Sequence, residues 1–328
     1  MRAAVITAPE EVGQQDWPDP EAAAGEVLVG VRRAALNRRD RWILHDPAAR
    51  GFEVPALMGS DGAGVVEALG DGVGGLEVGQ EVVLLPDLGW GDGEKAPGPD
   101  FRILDGTCAE RIAVPAENAY PRPQRLSWDE SAALPLAGLT AWRALFYRGG
   151  LKEGETVLIT GASGGVSTYL IQIAAAIGAR VLVNSSSEEK LAQAKELGAE
   201  GGVDRTDEDW PKQIKEMSGG GVDLAVDSSG KWAEALKALR PGGTLSVFGR
   251  TADNDAQLNV SAVFFGQYSI HGTTMGSPRE FQALLDHVEA ADWKPIVDSV
   301  LPLERVGDAY ARLDSSERFG NVVIDTQS

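Results

Sequence analysis

Residues 156–167 read TVLITGASGGVS. The apolar run at 156–160 is typical of a short buried strand, and the glycines at 161, 164 and 165 predict a tight turn leading into a helix over 165–177. Such a turn brings backbone close to a pyrophosphate, whose charge meets the free amides and the positive end of the helix dipole. The strict G-x-G-x-x-G spacing is not kept, because Ala162 and Ser167 stand at its first and third positions. The stretch therefore predicts a nucleotide-binding turn, with an ordinary glycine-rich turn as the alternative.

Strands and helices alternate on both sides of this turn. Repeated β-α-β units predict a doubly wound parallel sheet, and such a sheet holds its ligand at the carboxyl ends of its strands. The predicted strands are 156–160, 180–183, a short one near 202–203, 222–226 and 244–248, and the predicted helices are 165–177, 188–197, 210–217 and 232–239.

The chain before this region has a different texture. Short alternating runs such as 27–31, 65–69 and 82–85 are separated by glycine-rich turns, which predicts a compact, mostly antiparallel β unit. Residues 86–106 contain so many glycines and prolines that we expect a long exposed loop without regular structure. A helix over 279–290 and apolar runs at 300–303 and 322–324 follow the second region.

Composition excludes several classes of protein. Thirty Lys and Arg stand against 49 Asp and Glu, a net charge of −19, so binding to a phosphate backbone is disfavoured. The single cysteine, Cys108, excludes an intramolecular disulfide. The chain contains no run of 18 apolar residues, so the sequence predicts no membrane span. We therefore expect a cytoplasmic protein that binds neither nucleic acid nor membrane and acts on a small molecule.

The end of the second predicted strand indicates the nucleotide. An NAD site usually has a carboxylate there for the ribose hydroxyls, but this chain reads Val183-Asn184-Ser185-Ser186-Ser187. Hydroxyls at Ser185 and Ser186, with Lys190 and Arg205, are suited to a 2′-phosphate. The serines are also suited to capping the next helix, which is compatible with phosphate binding. We expect NADP(H).

Several motifs together resemble the medium-chain dehydrogenase/reductase superfamily, and within it the zinc-independent quinone oxidoreductase and enoyl reductase branch. The motifs are ALNRRD at 35–40, GSDGAG at 59–64, GTCAE at 106–110, GLTAW at 138–142, the turn at 161–166, residues 223–230 and PGG at 241–243. The resemblance implies an α/β fold with a GroES-like, mostly antiparallel β domain over 1–122, completed by 276–328. A Rossmann NADP-binding domain over 123–275 is implied between them, with the active cleft between the two domains.

The same resemblance also indicates whether the protein binds zinc. Zinc-dependent relatives carry catalytic zinc ligands at three positions that are Asn37, Ser60 and Leu136 in this chain, and four cysteines in the loop where this chain has none. A catalytic zinc requires three protein ligands from Cys, His and carboxylate, so we expect no zinc.

The resemblance implies two groups of site residues. The catalytic candidates are Asn37, Asp40, Ser60 and Thr140. The candidates for binding NADP(H) are Ala162, Ser163, Gly164, Gly165, Val166, Ser185, Ser186, Lys190, Arg205, Ser228, Phe248 and Gly249.

Without a Lewis acid to stabilise the alkoxide, hydride transfer from an alcohol is difficult. Hydride transfer to a quinone or an α,β-unsaturated carbonyl is the more favourable reaction. We therefore expect an NADPH-dependent, metal-free reductase of such acceptors. The alternatives are an alcohol dehydrogenase-like reductase of simple carbonyls and a non-catalytic, crystallin-like NADP-binding protein. The resemblance also implies a homodimer formed through the sheet edge near residues 268–273.

Overall fold

The structure is a computed structural model, and it describes residues 1–91 and 93–328. The strands of the described residues are β1 (Arg2–Ala8), β2 (Glu11–Asp16), β3 (Glu26–Leu36), β4 (Ala56–Leu57), β5 (Asp61–Leu69), β6 (Glu81–Leu84), β7 (Asp87–Leu88), β8 (Arg102–Ile103), β9 (Arg111–Pro115), β10 (Ala119–Pro121), β11 (Thr156–Thr160), β12 (Arg180–Ser185), β13 (Gly201–Asp204), β14 (Val222–Asp227), β15 (Leu239–Val247), β16 (Ser269–Gly272), β17 (Val297–Pro302) and β18 (Asn321–Asp325).

The α-helices of the same residues are α1 (Arg38–His45), α2 (Trp128–Ala133), α3 (Pro135–Leu145), α4 (Gly165–Ala176), α5 (Glu188–Glu196), α6 (Trp210–Ser218), α7 (Trp232–Ala238), α8 (Val260–Gly266), α9 (Pro278–Ala290) and α10 (Val306–Asp314). None of these helices has the length and apolar character needed to span a membrane.

The chain divides into two units, and the first comprises Met1–Ala137 and Ser277–Ser328. Its main sheet has the order β10-β6-β5-β3-β18-β17, with β9 also paired to β3, and every pair except β17–β18 is antiparallel. A smaller sheet has the order β2-β1-β4. The predicted mostly antiparallel β domain is confirmed, and the segment Ser277–Ser328 belongs to the same unit.

The long strand β3 lies at the centre of the first unit, and its small and branched apolar side chains suit a sheet that is covered on both faces. Val27, Val29 and Val31 lie in one hydrophobic core with residues of β6 and β18, and Ala35 packs against Ala133 of α2. Close strand contact in this sheet needs small residues. A Cβ added at Gly64 of β5 would lie 2.2 Å from the carbonyl oxygen of Gly30 in β3.

The second unit, Gly138–Gly276, contains a parallel sheet in the order β13-β12-β11-β14-β15-β16. β11 lies between β12 and β14, so the strand order reverses direction at its carboxyl end, which is where ligands bind in open α/β sheets. The predicted Rossmann fold is confirmed, and strand β11 has the predicted bounds.

The structure places the division between the units later than the predicted 122/123. Residues up to Ala137 belong to the first unit because α2 packs on its sheet, with Ala133 in contact with β3 and β18. The backbone N–H of Leu136 also donates to a carboxylate of β5, Asp61, at 2.9 Å.

The loop at 86–106 is more ordered and more buried than the sequence predicted. β7 and β8 pair within it, and Trp90 is 2% exposed. The Trp90 ring packs edge-on against Phe101 at 5.5 Å, and its indole N–H donates to the carbonyl of Gly93 at 2.8 Å. The glycines of this loop therefore allow tight turns around an aromatic pair in which Trp90 is buried.

Candidate active site

The glycine-rich turn joins β11 to α4 in the second unit. Gly161 has φ +81°, a left-handed conformation that favours glycine, and its N–H donates to the side-chain oxygen of Asn184 at the end of β12, at 2.9 Å. Gly164 is the N-cap of α4 and supplies no side-chain cap, so the first amides of this 12-residue helix have no side-chain acceptor at that position. The turn thus presents backbone donors and a helix dipole to an anion, as predicted.

Two cations lie beside this turn at the carboxyl ends of β12 and β13. The ammonium group of Lys190 donates to the hydroxyl of Ser163 at 3.0 Å, and the guanidinium of Arg205 donates to the hydroxyl of exposed Ser186 at 3.4 Å. Ser185 is only 5% exposed and its hydroxyl accepts from the Ser187 amide at 3.3 Å. The structure therefore pairs Lys190 with Ser163 and Arg205 with Ser186, while Ser185 is buried.

The next loop along the sheet is held by a buried carboxylate, Asp227, at the end of β14. Asp227 accepts hydrogen bonds from the Thr160 hydroxyl at 2.6 Å, the Ser229 hydroxyl at 2.7 Å and the Gly230 amide at 2.8 Å. Predicted cofactor residue Ser228 lies in this loop. Asp227 therefore joins the carboxyl ends of β11 and β14.

Two further predicted cofactor residues follow β15. The Phe248 amide donates to the Asp227 carbonyl at 2.9 Å, and exposed Gly249 has φ +72°. The predicted residues Ala162, Gly165 and Val166 lie in the turn or in the first turn of α4, with Ala162 buried. Predicted catalytic residue Thr140 is 5% exposed in α3.

The other three predicted catalytic residues lie in the first unit, where β3 ends and β5 begins. Asn37 is the N-cap of α1, and its backbone N–H donates to an oxygen of Asp40 at 2.7 Å. Its side-chain amide donates to an oxygen of Asp61 at 2.8 Å. The other oxygen of Asp61 accepts from the Leu136 amide at 2.9 Å. Asn37 thus lies between two carboxyl groups, each fully buried.

Burial dominates the electrostatics of this pair. Loss of solvent raises the pKa of Asp61 to about 8, against the lowering effect of the bonds from Asn37 and Leu136. Burial likewise raises the pKa of Asp40 to about 6, opposed mainly by the charge of neighbouring Arg39. The Arg39 guanidinium lies 3.4 Å from Asp40 and 2.8 Å from Asp105. A proton is therefore held more readily by Asp61 than by an ordinary aspartate.

Ser60 lies beside this pair in sequence and is fully buried. Within the described residues its hydroxyl has no hydrogen-bond partner, and neither does that of buried Thr107. Gly59 has φ +92°, and a Cβ there would lie 2.7 Å from the Thr107 hydroxyl oxygen. The backbone before Ser60 therefore passes so close to Thr107 that only glycine is accommodated.

The donor set does not fit zinc. Of the three positions at which zinc-dependent relatives carry ligands, Asn37 and Leu136 both donate hydrogen bonds to the Asp61 carboxyl, and Ser60 supplies a hydroxyl. Over residues 1–91 and 93–328, no group of three His, Cys, Asp or Glu side chains is placed to hold a metal ion. A catalytic zinc needs such a group.

Sequence reasoning missed three residues that organise these sites, namely Asn184, Asp227 and Asp61. Each is a buried polar side chain at a strand terminus. The position of Asn184 and Asp227 at the carboxyl ends of predicted parallel strands was available as an indication. The role of Asp61 was not, since its partners are 24 and 75 residues away in sequence.

The fold and the two clusters are those of a two-domain, nucleotide-dependent oxidoreductase, and comparison with known proteins agrees. Residues 23–124 match the alcohol dehydrogenase GroES-like domain family, and residues 165–290 match the zinc-binding dehydrogenase family. The chain is 35% identical to a zinc-type alcohol dehydrogenase-like protein of Schizosaccharomyces pombe, over 92% of this chain and 90% of that protein. It is 30% identical to the quinone oxidoreductase of Rattus norvegicus, over 95% and 92%.

A solved NAD-dependent alcohol dehydrogenase is similar over 99% of both chains, with a TM-score of 0.94 and 39% identity. A crotonyl-CoA carboxylase/reductase, AntE, solved in complex with NADP, is similar over 99% of this chain and 94% of that one, with a TM-score of 0.88 and 25% identity. This chain belongs to the medium-chain dehydrogenase/reductase superfamily, and it is an oxidoreductase of that superfamily.

Proposed function

We propose that this oxidoreductase uses NADP(H) and transfers hydride to a quinone or an α,β-unsaturated carbonyl without a metal ion. The observation that carries the proposal is the hydrogen bonding of Asp61. Its carboxyl accepts from the Asn37 side chain and from the backbone amide of Leu136, so the side chain at one of the three positions where zinc-dependent relatives have ligands serves a carboxyl group instead, and the other two positions carry Ser60 and Leu136.

The preference for NADP(H) is supported by the cations at the strand ends. Lys190 and Arg205 lie beside Ser163 and Ser186, and β12 ends in Asn184 and Ser185 without a carboxylate. A 2′-phosphate gains charge-assisted hydrogen bonds from such a group, whereas ribose hydroxyls alone do not use both cations. The names of the solved neighbours include both an NAD-dependent enzyme and an NADP complex, so the preference rests on these residues.

The acceptor class follows from the chemistry available. Bound nicotinamide supplies or receives the hydride. An alcohol must lose its hydroxyl proton as it donates hydride, and zinc assists this by stabilising the alkoxide. A quinone or a conjugated enone delocalises the arriving charge itself, so the protein has mainly to position it and deliver a proton. We assign positioning of the acceptor to Asn37 and Thr140, and proton delivery to Ser60.

A second candidate is an alcohol dehydrogenase-like reductase of simple carbonyls, which the name of the 39% identical solved neighbour favours. Steady-state assays separate the two functions. We expect metal-free protein to oxidise NADPH with members of a quinone and enone panel and to show little NADP-dependent oxidation of primary alcohols. Alcohol oxidation with no turnover of any quinone or enone would overturn the assignment. NADPH binding without turnover of any acceptor would indicate a non-catalytic NADP-binding protein.

We also propose that the protein forms a homodimer through β16, the edge strand of the parallel sheet. Beside it, α8 exposes Val260 at 74% and Phe265 at 79%, more apolar surface than a helix of this length usually presents to water. Light scattering of Phe265→Ser should show monomer where the native chain shows dimer. The matched control is Val78→Ser, which removes an apolar side chain that is 63% exposed from a turn of the first unit and should remain dimeric. A dimeric Phe265→Ser protein would place the interface elsewhere.

A further inference from the structure

The Asp61 carboxyl group has both of its oxygens engaged inside the protein. One accepts from the side-chain amide of Asn37 at 2.8 Å, and the other accepts from the backbone amide of Leu136 at 2.9 Å. Asp61 is fully buried at the first residue of β5. Neither oxygen is left to meet a substrate, so Asp61 acts on the reaction only through the groups that it holds.

We propose that Asp61 is a positioning residue that fixes the orientation of the Asn37 amide and so sets the geometry in which the hydride acceptor is bound. The proposal rests on the proposed function, because it takes Asn37 as an acceptor-positioning residue. It adds a group that was not among the sequence-predicted site residues.

Asn37 needs an external anchor for its side chain. The backbone of Asn37 is fixed by α1, through its N–H to Asp40 and through its carbonyl, which accepts from the Asp40 amide at 3.0 Å. These bonds fix the Cα position, and the terminal amide torsion depends on what the side chain itself contacts. The Asp61 oxygen that faces Asn37 accepts a hydrogen bond from its side-chain nitrogen, which selects the orientation in which the NH₂ faces Asp61. This contact acts together with the capping box of α1, in which the Asn37 side chain faces the Asp40 amide.

Asp61 is itself held rigidly, as a positioning group must be. The backbone of β5 pairs with β3 at Ala35, two residues before Asn37, so both partners are attached to adjacent paired strands. The Leu136 amide is in the first turn of α3, where helix N–H groups lack a partner within the helix. An acceptor oxygen at that end satisfies one of these N–H groups. β5 and α3 thus hold the Asp61 carboxyl in place independently of its contact with Asn37.

A purely structural role, capping α3, is the competing explanation, and a double-mutant cycle separates the two. If Asp61 acts through Asn37, Asp61→Asn should lower kcat about tenfold to a hundredfold in the native background and should not lower it further in Asn37→Ala. KM for NADPH should change less than twofold in every variant. The asparagine is isosteric but offers one acceptor for two donors. Asp61→Ala provides a second variant, and near-ultraviolet circular dichroism checks that each protein is folded.

The matched control is Glu280→Gln, another fully buried carboxyl of the first unit that caps a helix. Glu280 accepts from the Ser277 amide at 2.8 Å at the start of α9. We expect this change to lower the unfolding temperature while kcat stays within twofold of the native value.

A measurement without substrate keeps this proposal separable from the proposed function. The side-chain ¹⁵N–¹H resonances of Asn37 should move upfield in the proton dimension in Asp61→Asn, because one amide oxygen replaces two carboxyl oxygens and the hydrogen bond from Asn37 is weakened. Unchanged Asn37 resonances, or losses of kcat that multiply in the double variant, would overturn the role of Asp61. Native protein that reduces no acceptor would instead overturn the proposed function, and the resonance of Asn37 would still decide whether Asp61 orients it.

Discussion

The stability of the first unit should fall as pH rises from 6.5 to 8 because of Asp61. Burial raises the pKa of Asp61 to about 8, from an ordinary value of 3.8 in the unfolded chain. Across this interval the folded protein holds the proton and the unfolded chain does not, so unfolding releases a proton. The free energy of unfolding must then decrease with increasing pH, and it levels off once the pH exceeds the folded pKa.

The size of the effect follows from the width of the interval. One pH unit corresponds to about 1.4 kcal/mol for a full proton difference, so 1.5 units correspond to about 2 kcal/mol. Asp40, whose pKa is about 6, changes stability mainly below this window. Burial lowers the pKa of half-buried His287, so this histidine increases rather than decreases stability as the pH rises through its titration. The charged groups nearest Asp61 are Asp40 and Arg39, and Arg39 stays protonated throughout.

Hydrogen exchange of peptides from β3 and β5, corrected for the intrinsic rate, reports opening of the first unit at each pH. Asp61→Asn does not titrate, so its opening free energy should stay flat while that of the native protein falls by about 2 kcal/mol. The carboxyl ¹³C resonance of Asp61 should titrate near pH 8. A native profile parallel to that of the variant, or a resonance titrating near pH 4, would refute the reasoning.

Three further predictions concern other parts of the molecule. Purified protein should contain less than stoichiometric zinc by elemental analysis and keep its fold in a chelator, whereas a structural zinc contributes about 10 to 16 kcal/mol in small zinc-dependent folds; one tightly held zinc per chain would contradict this. Ser186→Asp should weaken NADPH binding relative to NADH by at least about tenfold in calorimetric titration, because a carboxylate beside Arg205 repels a 2′-phosphate; an unchanged ratio would mean that Arg205 does not contact the phosphate. Gly64→Ala should destabilise the first unit by about 1 to 3 kcal/mol, since its Cβ would lie 2.2 Å from the Gly30 oxygen, while Gly13→Ala, with no atom within 4 Å, serves as the strand control; equal unfolding midpoints would refute the close approach.

Most strands and helices of the second unit could be read from sequence because each depends on a local pattern, whereas α3 and α8 were not predicted. Strand β11 and helices α4 to α7 begin at the predicted residues and end within one residue of them. β15 is the exception: it was expected at 244–248 but begins at Leu239 and runs through Pro241-Gly242-Gly243. Its early residues are held by tertiary contacts, including an ion pair from Arg240 to Asp223 of β14 at 2.5 Å. β14 pairs with Leu239 and again from Thr244, and the register shifts between these pairs, where Gly242 has φ +78°, so the predicted turn residues form an irregularity within β15.

The candidate sites were predictable in part for the same reason. The nucleotide turn is contiguous, so its glycines and the two cations that follow it were visible in sequence. The structure of the loop at 86–106 could not be predicted in this way, because a count of glycines does not show that Trp90 and Phe101 pack against each other. The Asp61 contacts form only when β3, β5 and the start of α3 are packed together. No local sequence pattern predicts that arrangement.

The free-energy cost of Asp61 indicates why its contacts matter more for positioning than for stability. Near pH 7 the protonated, buried carboxyl costs about 4 kcal/mol relative to an ionised aspartate in the unfolded chain, from a pKa of about 8 against 3.8. An apolar side chain of similar size would avoid that cost but would leave the Asn37 and Leu136 donors without an acceptor, at about 1 to 3 kcal/mol each. The two terms offset one another to within a few kcal/mol. Helix capping alone therefore gives little reason for a buried aspartate at this position, whereas an acceptor that orients the Asn37 amide requires one.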